Sequence, residues 1–453
     1  MTMAGARGLG WLGIVRLGLV QTSIGAIVVL TKSVLNRVMV VELGLAAVLP
    51  GFLFGLYYGT QLARPWLGHG SDGVGRRRTP WIIGGLAALA VGAIAAAGSV
   101  ALMDRALWLG IAAACASFLI IGLGVGAAGT SLLVLLSKQV AEARKAAAAM
   151  IAWVMMIAGF IVTTAVAGSF LDPFTLTRLI SVTAVVSLIA FTVTCLAVIG
   201  VERPGGAGAA DQGDAKPAFR KALAEAWTDP QARLFTVFVF ISMIGYSAQD
   251  LILEPYAGLV FDFTPGQSTK LTAMQNSGAL TGMLLVGILG SFAAIRARIP
   301  LRKWTVIGCS ASACALMALA LTGPLGADGP LRSIVFALGF SNGMFAVAAV
   351  GSMMVLASYG PPGREGVRMG LWGASQAIAM GLGEVSGTIG VDAVRLMGYG
   401  PATAYGSVFA AEAVLFAAAA IIALKLNRAL TKHDITDPSM QAVGGRLAME
   451  GPG

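Results

Sequence analysis

Asp250 and Glu254 stand four residues apart in "GYSAQDLILEPYAGLVF" (245–261), a stretch otherwise without charge, and Pro255 follows at once. On an α-helix this spacing puts both carboxylates on one face, about 40° apart, together with Met243 and Ser247. A charge at the centre of a bilayer costs about 3 kcal/mol on insertion scales, so two on one span need a partner or a task. The chemistry open to them is ion pairing or proton uptake. Pro255 has no amide hydrogen, so it leaves the Leu251 carbonyl without its helical donor and invites a kink. A basic counterpart lies in "RLGLVQTSIGAIVVLTKSVLNR" (16–37), where Gln21, Gly25, Lys32 and Asn36 fall within about 60° of arc. Lys32 is 16 residues beyond Arg16 and Asp250 is 17 beyond Arg233. At the helical rise both sit roughly 24–26 Å along their segments. The matched depth predicts that Lys32 pairs with Asp250 or Glu254, either as a latch that opens and closes or as static glue. Arg37, about 140° round the helix from Lys32, is expected to reach outward.

The elements that hold these groups follow from composition. The 453 residues are 57% hydrophobic and 11% charged, with a mean hydropathy of +0.83. So little polar surface implies an integral membrane protein. Runs of about 20 apolar residues give twelve spans: 12–36, 46–67, 80–102, 107–136, 147–170, 178–200, 234–259, 270–294, 304–323, 331–357, 370–395 and 403–426. With an even number of spans, both termini and alternate loops share one side. That side holds 24 of the 31 Lys and Arg, the opposite side six, and Lys32 lies within a span. The bias puts both termini in the cytoplasm. The net charge of +10 is therefore a topology signal, and nucleic acid is not an expected partner.

A break at "ERPGGAGAADQGDAKPAFRKALAEAWTDPQAR" (202–233) divides the chain. Its Gly, Ala, Asp and Pro suit a flexible linker, and "AFRKALAEAW" suits a short amphipathic helix. The expected organisation is an N-terminal six-helix half (1–200), a cytoplasmic linker (201–233), a C-terminal six-helix half (234–427) and a cytoplasmic tail (428–453). Such a layout is that of a transporter built from two repeats. The first apolar segment is long and lacks a small-residue cleavage site, so it reads as retained. Cys115, Cys195, Cys309 and Cys314 all lie in spans at spacings that fit neither zinc nor a disulfide framework. Gly122 with Gly126, and Gly383 with Gly387, are small-xxx-small pairs suited to close helix packing within the chain.

The second and third spans are joined by "GHGSDGVGRRRTPW" (68–81). Gly68, Asp72, Gly75, Arg76, Arg77 and Arg78 form its skeleton: glycines for a tight turn, an acid to cap a helix, and three cations held in cytoplasmic water. The pattern resembles the loop signature of the major facilitator superfamily, departing from it at Gly73, where a basic residue is usual. The expected fold is therefore an all-α membrane protein of twelve transmembrane helices in two six-helix halves. No GxSxG, P-loop, HExxH, paired-cysteine or aspartate-rich diphosphate motif is present, so no enzyme is expected.

Three further stretches narrow the relationship: "LNRVMVVELG" (35–44), "QDLILEPYAGLVF" (249–261) and "STKLTAMQNSGALTGM" (268–283). With the first span they resemble the PucC family of photosynthetic purple bacteria, over about residues 12–426 apart from the linker. "GVGRRRTPWIIGG" is closer to the branch encoded among bacteriochlorophyll-synthesis genes. The resemblance implies an assembly factor or pigment carrier in the cytoplasmic or intracytoplasmic photosynthetic membrane. Its cargo would be bacteriochlorophyll or a precursor, and its partners pigment-synthesis enzymes or antenna polypeptides. A proton-coupled or facilitative carrier of a small molecule is the alternative, since buried acids often mark proton relays. Gln249, Asn342, Gln376, Glu384 and Glu412, with Gln21 and Asn36, either line a central cavity or hydrogen-bond one helix to another. His69 and His433 are the only histidines and neither lies in a span, so any pigment magnesium would meet an oxygen ligand. Replacing Arg76, Arg77 and Arg78 together should impair insertion or gating, read as loss of protein from the membrane fraction or as loss of function at normal abundance. Replacing Asp72 alone should reduce function more than abundance if the loop acts as a latch; equal loss of both points to a purely structural role.

Overall fold

Long apolar runs must satisfy their own backbone in lipid, and helices do so residue by residue. The computed structural model describes residues 9–61, 78–141, 144–202, 227, 230–292, 299–323, 330–358 and 365–426. Twelve helices account for nearly all of them, with no strand among the described residues. The first half comprises α1 (Trp11–Leu30), α2 (Val48–Gln61), α3 (Thr79–Met103), α4 (Leu107–Gln139), α5 (Lys145–Phe170) and α6 (Leu176–Val198). The second comprises α7 (Pro230–Phe261), α8 (Pro265–Ser291), α9 (Leu301–Thr322), α10 (Leu331–Ser358), α11 (Glu365–Leu396) and α12 (Pro401–Leu426). Beyond Leu30, α1 runs on through two wide π-helical turns, Thr31–Leu35 and Val38–Glu42. Most of the loop signature, the linker interior and the tail lie outside the described residues; Arg78 is the one signature residue within them.

Ten of these helices are long and apolar enough to cross a membrane. The two others explain themselves. α2 is described over 14 residues, and the first turns of α8, "PGQSTKLTAMQNS", are polar, with Ser268 and Thr269 buried on a helix that packs against α5 of the first half. A capping box between Thr264 and Gln267, with Pro265 at the first turn, starts α8. Large apolar side chains point outward, among them Trp108, Phe170, Leu188, Leu321 and Val414. In water such a surface would aggregate; in a bilayer it is solvated.

The packing repeats. In the first half α1 packs on α5 and α6, α3 on α4 and α6, and α2 on α4. In the second, α7 packs on α11 and α12, α9 on α10 and α12, and α8 on α10. Each pair is the earlier one moved on by six helices. The main contacts between halves, α2 with α11 and α5 with α8, are related in the same way. Glycines permit the closest approaches. A Cβ on Gly383 would lie 2.6 Å from the Ile244 carbonyl oxygen of α7, and one on Gly124 would lie 2.7 Å from that of Gly85 in α3. Val40 and Ala47, from the first half, join the apolar core of the second, and Leu251 joins that of the first. The halves interlock at the end of the bundle opposite the start of α1 and the end of α12, the far end.

Two carboxylates clasp that end with the same symmetry. Asp172, just past α5, accepts from the Thr264 hydroxyl (2.8 Å) and the Gly266 amide (3.1 Å) at the start of α8. Asp392, in the last turns of α11, accepts from the amides of Ala47 (3.1 Å) and Val48 (2.7 Å) at the start of α2. Each satisfies one or two orphan amides at a helix start in the opposite half, so that each clasp is worth about 1 kcal/mol. Replacing both by Ala should shift the balance toward a parted far end by roughly thirtyfold. A cysteine at Val40, in a background without the four native cysteines, should then label correspondingly faster; an unchanged rate means the clasps do not hold the halves.

Candidate functional site: a buried polar layer between the halves

Below the clasps, α1 and α7 meet along a polar seam. Lys32, in the first π-turn of α1, places Nζ 2.9 Å from Asp250 Oδ2 on α7 and also pairs with Glu384 on α11. Tyr58 of α2 donates to the same Glu384 oxygen at 3.1 Å, and the ammonium lies 6.0 Å from the centre of the Tyr58 ring. Glu384 has no exposed side-chain surface, whereas Lys32 and Asp250 retain 17% and 23%. One cation from the first half thus bridges two carboxylates from the second. The close packing of α7 on α11 at Gly383 makes both acids reach a single ammonium.

Glu254 is placed differently. It lies one turn beyond Asp250 and accepts from the hydroxyls of Ser33 on α1 and Thr272 on α8. It does not contact Lys32. Pro255 leaves the Leu251 carbonyl free, and the Asn36 side-chain amide donates to it at 2.6 Å. A backbone gap in one half is thereby filled by a side chain of the other. Arg37 departs from the expectation of an outward reach. It is buried, bonded to Glu42 and to the Phe263 carbonyl at 2.5 Å each. The π-turns advance each residue by less than the α-helical angle, so a reckoning by α-helical steps misplaces it. Gly258 of α7 leaves room for the guanidinium, since a Cβ there would stand 3.1 Å from it.

The remaining candidates divide. Gln21 faces α5, donating to the Met156 sulfur at 3.1 Å, and Gly25 packs on Phe160 and Met156 of the same helix. The stripe drawn on α1 therefore splits between two neighbours. Asn342 of α10 accepts from Ser312 of α9 at 2.8 Å, a helix-to-helix bond within the second half. Gln376 is half-buried on α11. Gln249 and Glu412 are buried with no hydrogen-bond partner for any side-chain polar atom among the described residues. Arg78 is buried at the start of α3, where the Glu202 carboxylate accepts from its amide (2.7 Å) and from the Thr79 amide (3.0 Å). Gly68, Asp72, Gly75, Arg76 and Arg77 lie outside the described residues. Tyr58, and Glu384 as a partner of Lys32, were not read from sequence. The available signal was the excess of span acids over Lys32, which left room for a second acid to share it.

Twelve helices in two equivalent halves, with a charged seam between their first helices, define a polytopic membrane protein of the major facilitator type. The PUCC protein family matches residues 34–431. The chain belongs to that family. It is 51% identical over 415 residues to the protein named bacteriochlorophyll synthase 44.5 kDa chain of Rhodobacter capsulatus, covering 92% of this chain and 95% of that one. It is 30% identical over 432 residues to Protein PucC of the same species, covering 91% and 92%. Among solved structures, the nucleoside transporter NupG superposes with a TM-score of 0.68 at 13% identity, over 91% of this chain and 99% of that one. A bacterial homologue of the human lysosomal transporter Spinster gives 0.67 at 16% identity, over 93% and 97%. These two likenesses show the fold alone.

The seam generates a test. Lys32→Asp would set three carboxyls together, and Asp250→Lys would leave two ammonium groups beside Glu384. Each single change should sharply reduce protein level, and the double exchange should recover it, read by quantitative immunoblot of membranes. A silent Lys32→Ala would remove the ion pair from any role.

Proposed function

We propose that this protein is a membrane assembly factor or pigment carrier supporting bacteriochlorophyll synthesis and delivery to light-harvesting complexes, and that it is not itself a catalyst. The observation that carries this reading is the 51% identity, over nearly the whole length, to the chain named bacteriochlorophyll synthase 44.5 kDa. The lower identity to Protein PucC sides with a role near pigment synthesis rather than with one antenna complex. Partners on this reading are bacteriochlorophyll or a precursor, synthesis enzymes or antenna polypeptides, and the surrounding bilayer of a bacterial inner membrane. The 24-to-6 distribution of cations supports cytoplasmic termini with the far end on the opposite side.

The geometry supports motion between halves. Lys32 with Asp250 and Glu384 serves as a latch, closed while the ammonium bridges the halves and opened when cargo or a proton takes one carboxylate. The second reading, a proton-coupled carrier of a small molecule, draws on one observation: the acids Asp250, Glu254, Glu384 and Glu412 outnumber the cations Lys32 and Arg37 in the polar layer.

Purification from the native membrane in mild detergent distinguishes the two. An absorption band of bacteriochlorophyll or a precursor, with synthesis or antenna chains copurifying, supports the assembly role. A colourless protein that drives uptake of a small solute into proteoliposomes overturns it. Because no histidine lies in a described span, His69→Ala should retain the pigment; its loss at normal protein level would refute oxygen ligation.

A further inference from the structure

α5 and α8 join the halves along one side and run antiparallel, and their register is fixed where they touch at the far end. A Cβ on Gly168 would lie 2.8 Å from the Gly266 carbonyl oxygen and 3.0 Å from the Lys270 side chain. From these anchors the facing rows follow at helical spacing: Ile161, Ile157 and Met150 on α5, and Ala273, Ser277 and Leu284 on α8. Equal steps set them level in pairs, 7, 11 and 18 residues from the two glycines. The first two pairs are closed: Ala273 and Ile157 are buried, and Ile161 and Ser277 are half-buried. The third is parted, with Met150 64% and Leu284 46% exposed. Thr281 and Ile288, on the same row of α8, and Trp153, beside Met150 on α5, are exposed as well. Two rows that seal the interface at the far end thus separate over the part of the span nearer the start of α1.

The apex of this cleft has a definite level. Thr272 of α8 donates to Glu254 of α7. Asp250 lies one turn back along α7, and Asn276 one turn on along α8, next to Ser277. The cleft therefore stops level with Lys32 and Asp250. It runs from Ser277 to Ile288, eleven residues or about 16 Å along the helix. Neither α5 from Ala148 to Ala167 nor α8 from Ser277 to Ser291 carries a charged residue. An occupant here meets lipid on one side and Met, Trp, Leu and Ile on the other, so it is apolar along that length. Its end meets the polar layer, where a methylene chain gains nothing by going further. An elongated cleft between two helices, closed at one end, fits a chain lying along the helix axes.

We propose that this cleft is a slot for the hydrocarbon tail of a membrane-dissolved amphiphile, which enters sideways from the bilayer between α5 and α8 and leaves its bulky head on the outward apolar faces. The inference rests on the reading of the protein as a pigment carrier and adds how the cargo is held. Met150, Trp153, Thr281, Leu284 and Ile288 grip the tail, and the polar layer sets the length admitted.

Photolabelling of the purified full chain in phosphatidylcholine nanodiscs, with a trace of a long-chain alcohol bearing a diazirine, tests the slot. Labelled residues are mapped by mass spectrometry. Label should concentrate on Met150, Trp153, Leu284 and Ile288 over other exposed outward residues such as Val162 and Leu188. Unlabelled bacteriochlorophyll should displace it, and the same pigment stripped of its tail should not. Thr281→Trp, which fills the slot, should abolish the labelling at unchanged abundance. Even labelling of the whole outward surface, or labelling that Thr281→Trp leaves intact, means that lipid merely wets the cleft and overturns the proposal. Equal displacement by both pigments overturns recognition through the tail. Displacement by the unlabelled alcohol but by neither pigment supports the slot and overturns the pigment reading instead.

Discussion

An ammonium in an apolar bundle must be surrounded by acceptors or lose its charge, and the inter-half architecture is organised around meeting that condition for Lys32. Desolvation of each ion costs several kcal/mol even after relaxation. Lys32 therefore fixes where Asp250 and Glu384 must stand, and so fixes the meeting of α1, α7 and α11. The Tyr58 hydroxyl completes the shell of Glu384 and draws α2 into the same set. Asn36 and Ser33, one turn or less away on α1, answer the Leu251 carbonyl and Glu254 in turn. One side of the seam is the wide-turned end of α1, whose larger pitch circle directs residues 32, 33, 36 and 37 all toward the second half. In an α-helix those four positions would not all face one neighbour.

The fold was legible because its cause is compositional. Apolar runs long enough to span appear as such in any window, and the polar linker divides them evenly. The polar first turns of α8 are the informative exception, since a segment that supplies hydroxyls to a buried acid, as Thr272 does to Glu254, no longer looks like a span. The site was legible in part. Equal depth along two helices placed Lys32 level with Asp250, and the missing amide of Pro255 marked the Leu251 carbonyl. Neither argument named Glu384 or Asn36 as the partner, because partners across the bundle depend on tertiary packing that no local pattern records. Arg37 shows the other limit. The π-turns carry no compositional mark, and an angular reckoning that assumes α-helix accumulates error through them.

The relationship to the PUCC family and the facilitator fold pose a joint physical question. A facilitator-type bundle moves small solutes through a seam between halves, while a pigment macrocycle is mostly apolar and at home in lipid. The cations of the polar layer are engaged by its own carboxylates, Lys32 by Asp250 and Glu384 and Arg37 by Glu42, which suits a regulatory contact between halves better than a bed for a large apolar ring. On the proposed reading, a surface for such a cargo lies along the outward apolar faces, where large side chains such as Trp108 and Phe170 are exposed.

The sharing of Lys32 between two carboxylates has an evolutionary consequence. Asp250 and Glu384 are partly redundant: the loss of either leaves the ammonium with a counter-charge, while the loss of Lys32 leaves two acids facing one another, one of them wholly buried. Substitutions at the two acids are therefore epistatic, each tolerable only while the other remains, and their combined effect must exceed the sum of the parts. Drift can pass through either acidic position in turn, but the basic position is a point through which the lineage cannot readily move.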